Sequence, residues 1–338
     1  MKIPTNYHSL FFSLCLCLLL NGCTLVYKGT GNILISYAED QGIPYLLKTD
    51  DVSFSCSMVE SFAPFLLSFS RVTSPPDHLA ILFYLMAGTC TEFKAWDEEL
   101  RYLRAIYNKN PIEAQDARIA QQRYLSQAAQ RQLTGYNYLS LAFSEPGAEC
   151  PLLDTDIDQL YWLMGLISGL QAVLNDIASA GNVQVPLDIA AKIGRAAVCL
   201  NNDKWWGIPQ AIQATIWITI PGNKPVGKDP IKILDNALQT GLQQGIKISH
   251  VLAAQVHFGL GDMAKVKQII RSLSKARQAT ADSQIYELLN QVANRQIQQI
   301  SDRLWTEATG SRTPIGKLGY FWDDPAQAID TIDIDGFL

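Results

Sequence analysis

An all-α fold of stacked helical hairpins, an α-solenoid, is predicted by three features of this sequence. Apolar residues recur at helical spacing through most of the 338 residues, and no segment alternates apolar and polar residues between hairpin turns. Pro, Gly and Asp punctuate the helical runs at short intervals. The stretch Asp203–Asp262 is the clearest case. In Asp229–Gly241, Asp229 is placed to cap a helix, Pro230 takes the first helical position and Gly241 stands near the stop. Ile231, Leu234, Leu238 and Leu242 fall on one face between them. After Gly245 a second helix is expected to turn Val251, Leu252, Gln255 and Phe258 inward, and Gly259–Asp262 turns the chain again. A helix pair cannot bury such a stripe alone, so it must stack on neighbours.

The composition sets the class. Hydrophobic residues make up 48% and charged residues 17%, enough apolar material for one large core or two modest ones. Without residues 1–22 the chain carries 26 basic and 32 acidic residues, a balance of −6. No basic stripe interleaved with aromatics occurs, which argues against a nucleic-acid partner.

Residues 1–22 read as a lipoprotein signal peptide. Lys2 gives a positive start, and Leu10–Leu20 is an apolar run too short to span a bilayer. Leu20-Asn21-Gly22-Cys23 resembles the bacterial lipobox, in which the Cys thiol takes a diacylglyceryl group and becomes the mature N-terminus, here Cys23. Thr24 after it points to the outer membrane in a Gram-negative cell. The expected localisation is the bacterial cell envelope, lipid-anchored and facing the periplasm. No later apolar run is expected to cross a membrane.

The body, 23–307, is read as one helical domain. A lead-in helix is expected at Asn32–Asp40, then a helix over Thr49–Val72 started by Asp50 or Asp51, carrying Phe54, Met58, Phe62, Phe65 and Phe69 and a kink at Pro64. Phe62 and Phe65 belong to an aromatic stripe that lines either a ligand cavity or a packed core. Ser74–His78 breaks the chain, with Asp77 as cap of a long helix to Tyr107. Asn110-Pro111 restarts it as Ile112–Phe143. Ser144–Pro151 forms a loop between two halves, followed by helices at Asp156–Ala180, Pro186–Leu200, the Trp205–His257 block, Asp262–Ser274 and Asp282–Glu307. Residues 308–338, rich in Gly, Pro and Asp, read as a loosely ordered acidic tail.

Four cysteines, Cys56, Cys90, Cys150 and Cys199, remain in the mature chain, and sequence does not choose among their three pairings. Cys56 and Cys90 lie in consecutive predicted helices, so a bridge between them is one of the expectations; buried free thiols are the other. No CxxC or HxxxH spacing is present, and His250 and His257, seven apart, are too distant for one ion, so no metal is expected. No G-x-S-x-G, P-loop, G-x-G-x-x-G or H-E-x-x-H motif occurs, so neither a cofactor nor catalysis is expected. Trp205-Trp206 stands out: two adjacent indoles cannot share one core face of a helix, so one is expected to reach a surface or cavity.

Leu160-Tyr161-Trp162 opening a helix after an acidic stretch, followed by WWG…ATIWITIPG…KDPIKILDNALQTG…KISHVLAAQVHFGLGD and then Asn294-Arg295-Gln296, is similar to the T-component lipoproteins of TRAP (tripartite ATP-independent periplasmic) transporters. The Asp51…Pro64…Leu67 segment with Ser74–Leu79 resembles that family's N-terminal helix pair. The likeness runs roughly from Leu20 to Glu307. It departs after Gly207, where Ile208-Pro209-Gln210 stands in place of a His. The resemblance implies a TPR-like non-enzymatic lipoprotein, forming a trimeric, ring-like homo-oligomer with a central pore. Its partner would be a periplasmic solute-binding protein, and it would help to hand over a ligand, for which a hydrophobic molecule is one candidate. Trp162, Trp205, Trp206, Phe62 and Phe65 are then the candidate ligand or partner surface. The alternative on the same helices is a general TPR-type scaffold lipoprotein for envelope or outer-membrane assembly.

Overall fold

A computed structural model describes residues 24–274, 280 and 283–325. Among them every regular element is a helix. The expected lipid attachment at Cys23 lies outside the described residues.

The chain enters as α1 (24–37), passes through one π-helical turn at Ala38–Gly42 and continues as α2 (Ile43–Leu47). The lead-in helix is therefore longer than its apolar pattern indicates. Gly42-Ile43-Pro44 does not end it, because Pro44 sits in the first turn of α2, where its missing N–H costs nothing. Asp51 caps α3 (Val52–Ser68), its Oδ1 accepting from the Phe54 amide at 2.8 Å. Pro64 lies within α3.

Two long helices follow, α4 (Asp77–Tyr107) and α5 (Pro111–Ala142). Asp77 does not cap α4 as expected. Pro76 holds that position, and the Asp77 carboxyl, half-buried with Oδ1 unpartnered, is raised above its usual range by desolvation. Asn110 does cap α5. The hairpin closes tightly at Gly88, where a Cβ would stand 2.5 Å from Gln132 Cγ.

Next comes α6 (Asp156–Ala178), begun by a reciprocal Thr155/Asp158 capping box. Leu160, Trp162, Leu163, Leu166 and Leu170 are essentially inaccessible, and Tyr161, Met164, Ala172 and Val173 are buried as well. A helix apolar around most of its circumference has to be enclosed. It is covered by α4 and α5 on one side and by α7 (Asp188–Ala196) on the other. The return from α6 depends on Asp176, whose carboxylate accepts from the Val183 and Val185 amides at 2.8 and 2.7 Å inside the core.

The remaining helices are α8 (Ile208–Thr219), α9 (Pro230–Gln244), α10 (Ile248–Gly259), α11 (Met263–Ser274) and α12 (Glu287–Thr309). Asp229 caps α9 and Pro230 opens it. The stop is Gly245, in the left-handed region at φ 74°; Gly241 lies inside the helix, where the Ile246 and Trp206 carbonyls leave no room for a side chain. On α10 the inner face is His250, Val251, Ala253, Ala254, Val256 and His257, and Gln255 is exposed. The helix starts at Ile248, so its face is rotated from the expected one. Successive helices pack on one another in a second apolar cluster, and α12 returns to contact α2, α3 and α4.

Both disulfide pairs are formed. Cys56–Cys90 ties α3 to α4, as one expectation had it, and Cys150–Cys199 ties the loop after α5 to the end of α7. Closing loops of this size is worth about 4 kcal/mol each in the chain-entropy account. The expected loose tail meets firm contacts over 310–325. Phe321 is buried, Trp305 Nε1 donates to the Tyr320 carbonyl, and Lys267 and Arg271 pair with Asp323 and Asp324. Residues 326–338 lie outside the described residues.

No later apolar run is expected to cross a membrane, yet two helical stretches are long and apolar enough by length and composition, Val52–Arg71 and Asp156–Ala178. The second is α6, whose apolarity is that of a core helix.

Replacing Asp176 by Ala would strand the buried Val185 amide and the partly buried Val183 amide. We expect a loss of about 3 kcal/mol by urea unfolding, with Asp176→Asn intermediate because its amide oxygen still accepts.

Candidate functional site

Where α2, α4, α6, α10 and α12 meet, their side chains leave an apolar cavity of about 110 Å³. Ile43, Leu46 and Leu47 of the short α2 form one wall; Leu82, Leu85 and Met86 of α4 face Met164 and Ile167 of α6; Ile248, Leu288, Leu289 and Val292 complete it. Three polar side chains, Thr89, Gln171 and Gln296, reach its edge. The Thr89 hydroxyl is already committed to the Leu85 carbonyl at 3.1 Å. An apolar void of roughly 150 Å³ holds one benzene-sized molecule and stays free of water. This cavity is therefore the size of a single ring or a short alkyl chain, smaller than the roughly 300 Å³ at which pockets for drug-sized ligands begin.

A seam of polar side chains runs from the cavity edge into the core. Gln171 Oε1 accepts from Gln132 Nε2 at 3.2 Å, and Asn175 Nδ2 donates both to Gln132 Oε1 at 2.7 Å and to Glu92 Oε1. The Ser168 hydroxyl donates to the Gln132 carbonyl, fixing α5 against α6. Gln132, Asn175 and Glu92 are all buried, and Glu92 Oε2 has no partner. Burial pushes the Glu92 carboxyl from its ordinary 4.5 up to about 7, and the amide donors only partly oppose the shift. These residues match none of the motifs read from the sequence. A signal was present: Ser168, Gln171 and Asn175 are spaced three and four apart along an otherwise apolar helix, and Thr89 and Glu92 stand one turn apart on α4.

Of the expected surface residues, the three tryptophans are interior. Trp162 is fully buried with Nε1 on the Ala196 carbonyl. Trp205 and Trp206 are both buried, which corrects the expectation that one of them reaches a surface or cavity. The two indoles do not sit on a helix face. Trp206 and Gly207 take left-handed backbone (φ 55° and 76°), setting the rings at 78° to each other. Trp205 then donates to Gln159 Oε1 at 2.9 Å, while Trp206 packs on Tyr286. Gly207 is required there because a Cβ would collide with the Ala237 backbone. Phe62 and Phe65 are about half exposed on α3, remote from the cavity lining.

His250 and His257 are buried and no ring nitrogen of either makes a hydrogen bond; Asp262 lies 3.3 Å from His257 Nδ1 without the geometry of one. Burial and the Lys247 cation push His250 down to about 4. Among the described residues no three His, Cys, Asp or Glu side chains are grouped to hold a metal ion. A larger, open cleft of about 830 Å³ lies between the start of α3 and α12 and mixes Asp50 and Asp51 with Lys247 and Arg295. It is mixed in polarity and shallow, whereas the cavity is deeper and apolar.

No family model matches this chain, and neither a curated protein nor a solved structure is similar to it.

The unfolded chain releases the Glu92 proton near pH 4.5, while the folded chain holds it to about pH 7. Stability from this group is thus complete below pH 4.5 and is lost as pH rises through 7. Urea unfolding at pH 5, 6, 7 and 8 should show Glu92→Gln with a shallower decline than the parent and higher stability at pH 8. An unchanged slope would place the titration elsewhere.

Proposed function

We propose that this chain is a lipid-anchored envelope protein that holds a small apolar ligand and acts as a non-enzymatic accessory to a transport system. The observation that carries the ligand reading is the apolar cavity among α2, α4, α6, α10 and α12, lined by apolar side chains and polar only at its edge. Such a site offers burial and shape but no nucleophile or charged group, so it binds rather than transforms.

The address rests on two features. The apolar run ending in Leu20-Asn21-Gly22-Cys23 supports lipid attachment outside the cytoplasm. Two disulfides, Cys56–Cys90 and Cys150–Cys199, suit an oxidising compartment such as the periplasm. The partner, a periplasmic solute-binding protein, and assembly as a ring-like trimer of TPR-like subunits rest on the resemblance of the Leu160–Trp162 and Asp203–Asp262 segments to T-component lipoproteins. Packing of α8 to α11 against successive neighbours is compatible with such hairpins.

The test is light crosslinking of the full-length lipoprotein in intact cells of its own host, with mass spectrometry of what co-purifies. Recovery of a periplasmic solute-binding protein with the membrane subunits of a carrier is the expected result. Recovery of an outer-membrane barrel or secretion subunit instead would make the protein an assembly scaffold.

A further inference from the structure

We infer that the outer face of α3, together with α1, lies against the lipid bilayer, so that the domain is held flat on the membrane and not merely tethered to it. The inference builds on the membrane-attached reading above.

The face is defined by helical arithmetic. At about 100° per residue, Phe54, Phe62, Phe65 and Phe69 fall within one quarter of the α3 circumference. The adjoining quarter, Val52, Ser55, Val59, Ala63 and Leu66, is buried against the body, and exposed Ser53, Ser57, Ser61 and Ser68 line the side away from it. Phe54, Phe62 and Phe65 remain half exposed. Of the apolar window that gives Val52–Arg71 its membrane-like hydropathy, 28% is buried, against 67% in α6. The α6 surplus is explained by the core, whereas the α3 surplus has no cover within the described chain. Nor does the outer face carry charge. Glu60 is the one charged residue of α3, and it is turned inward to ion pairs with Arg131 and Lys94.

The face continues into α1. Phe62, Phe65 and Phe69 stack edge to face in sequence, and Phe69 meets α1 at Gly31, where a Cβ would stand 2.7 Å from its ring. Beyond that crossing α1 exposes Leu25, Val26 and Ile33. Exposed Lys28 and Arg71 flank the crossing, placed to reach headgroup phosphates while the aromatics enter the acyl boundary.

The chain preceding α1 selects the occupant. The apolar run Leu10–Leu20 ends four residues before Thr24, and Cys23 immediately precedes it. Whether that run stays in the bilayer or Cys23 carries acyl chains, membrane attachment falls at the α1 end of this face. Tethered there, an uncharged aromatic face meets lipid at a high effective concentration.

The test uses the full-length protein in its host with a benzophenone amino acid in place of Phe62 or Phe65, which preserves an aromatic side chain, and in place of exposed Gln127 on α5 as the reference. Illumination should give phospholipid adducts at 62 and 65 and at most one tenth as much at 127. Mass spectrometry of the N-terminal peptide reads Cys23 acylation separately. Lipid adducts at 62 and 65 support the inference whether or not Cys23 is acylated, since an unacylated Cys23 would remove only the lipobox reading. Adducts to a second copy of the chain or to another protein, or no lipid adduct, would overturn it.

Discussion

Enclosure of α6 is the constraint from which the rest of this structure follows. A helix with Leu, Trp, Met and Val on nearly every side loses stabilisation wherever it touches water. Covering it takes the long α4–α5 hairpin on one flank and α7 on another. The two long helices are close enough to do this because Gly88 lets Gln132 lie across α4. The Asp176 carboxylate then gathers the amides of the departing loop, so the chain can turn back within the core without orphaned donors.

Around that centre the packing leaves an apolar gap. The cavity is where the short α2, held by the π-turn at Ala38–Gly42, spans a gap that α4, α6 and α12 leave open. The polar seam that ends at its edge, from Glu92 through Asn175 and Gln132 to Gln171, fixes the register of α4, α5 and α6 with directional bonds that apolar contact alone does not supply. Rigid polar registration next to an unfilled apolar space is the arrangement expected of a preformed binding site. Loose packing would instead let α2 settle inward.

Much of the fold was legible in the sequence because helix starts are local chemistry. Asp51, Asn110-Pro111 and Asp229-Pro230 satisfy orphan amides within three residues of themselves, and their helices begin there. The misses come from tertiary packing. Gly241 reads as a helix stop, yet it is a glycine because two carbonyls from other segments approach it. Trp205-Trp206 reads as a surface feature, since nothing local announces that both residues precede a left-handed Gly207 locked over Ala237. The candidate site was least legible. Its lining comes from five helices spread between Ile43 and Gln296, and each contributes ordinary core residues at ordinary helical spacing. Pattern identifies such residues as buried but does not say which of them fail to meet.

The central claim is that this gap is a binding site and not a packing defect. Calorimetric titration of the folded protein with benzene, alongside Met86→Trp, tests it most directly. The account predicts saturable one-to-one binding that weakens at least tenfold in the variant, whose indole fills the space. Binding of equal strength in both proteins, or no binding to the parent, would contradict it.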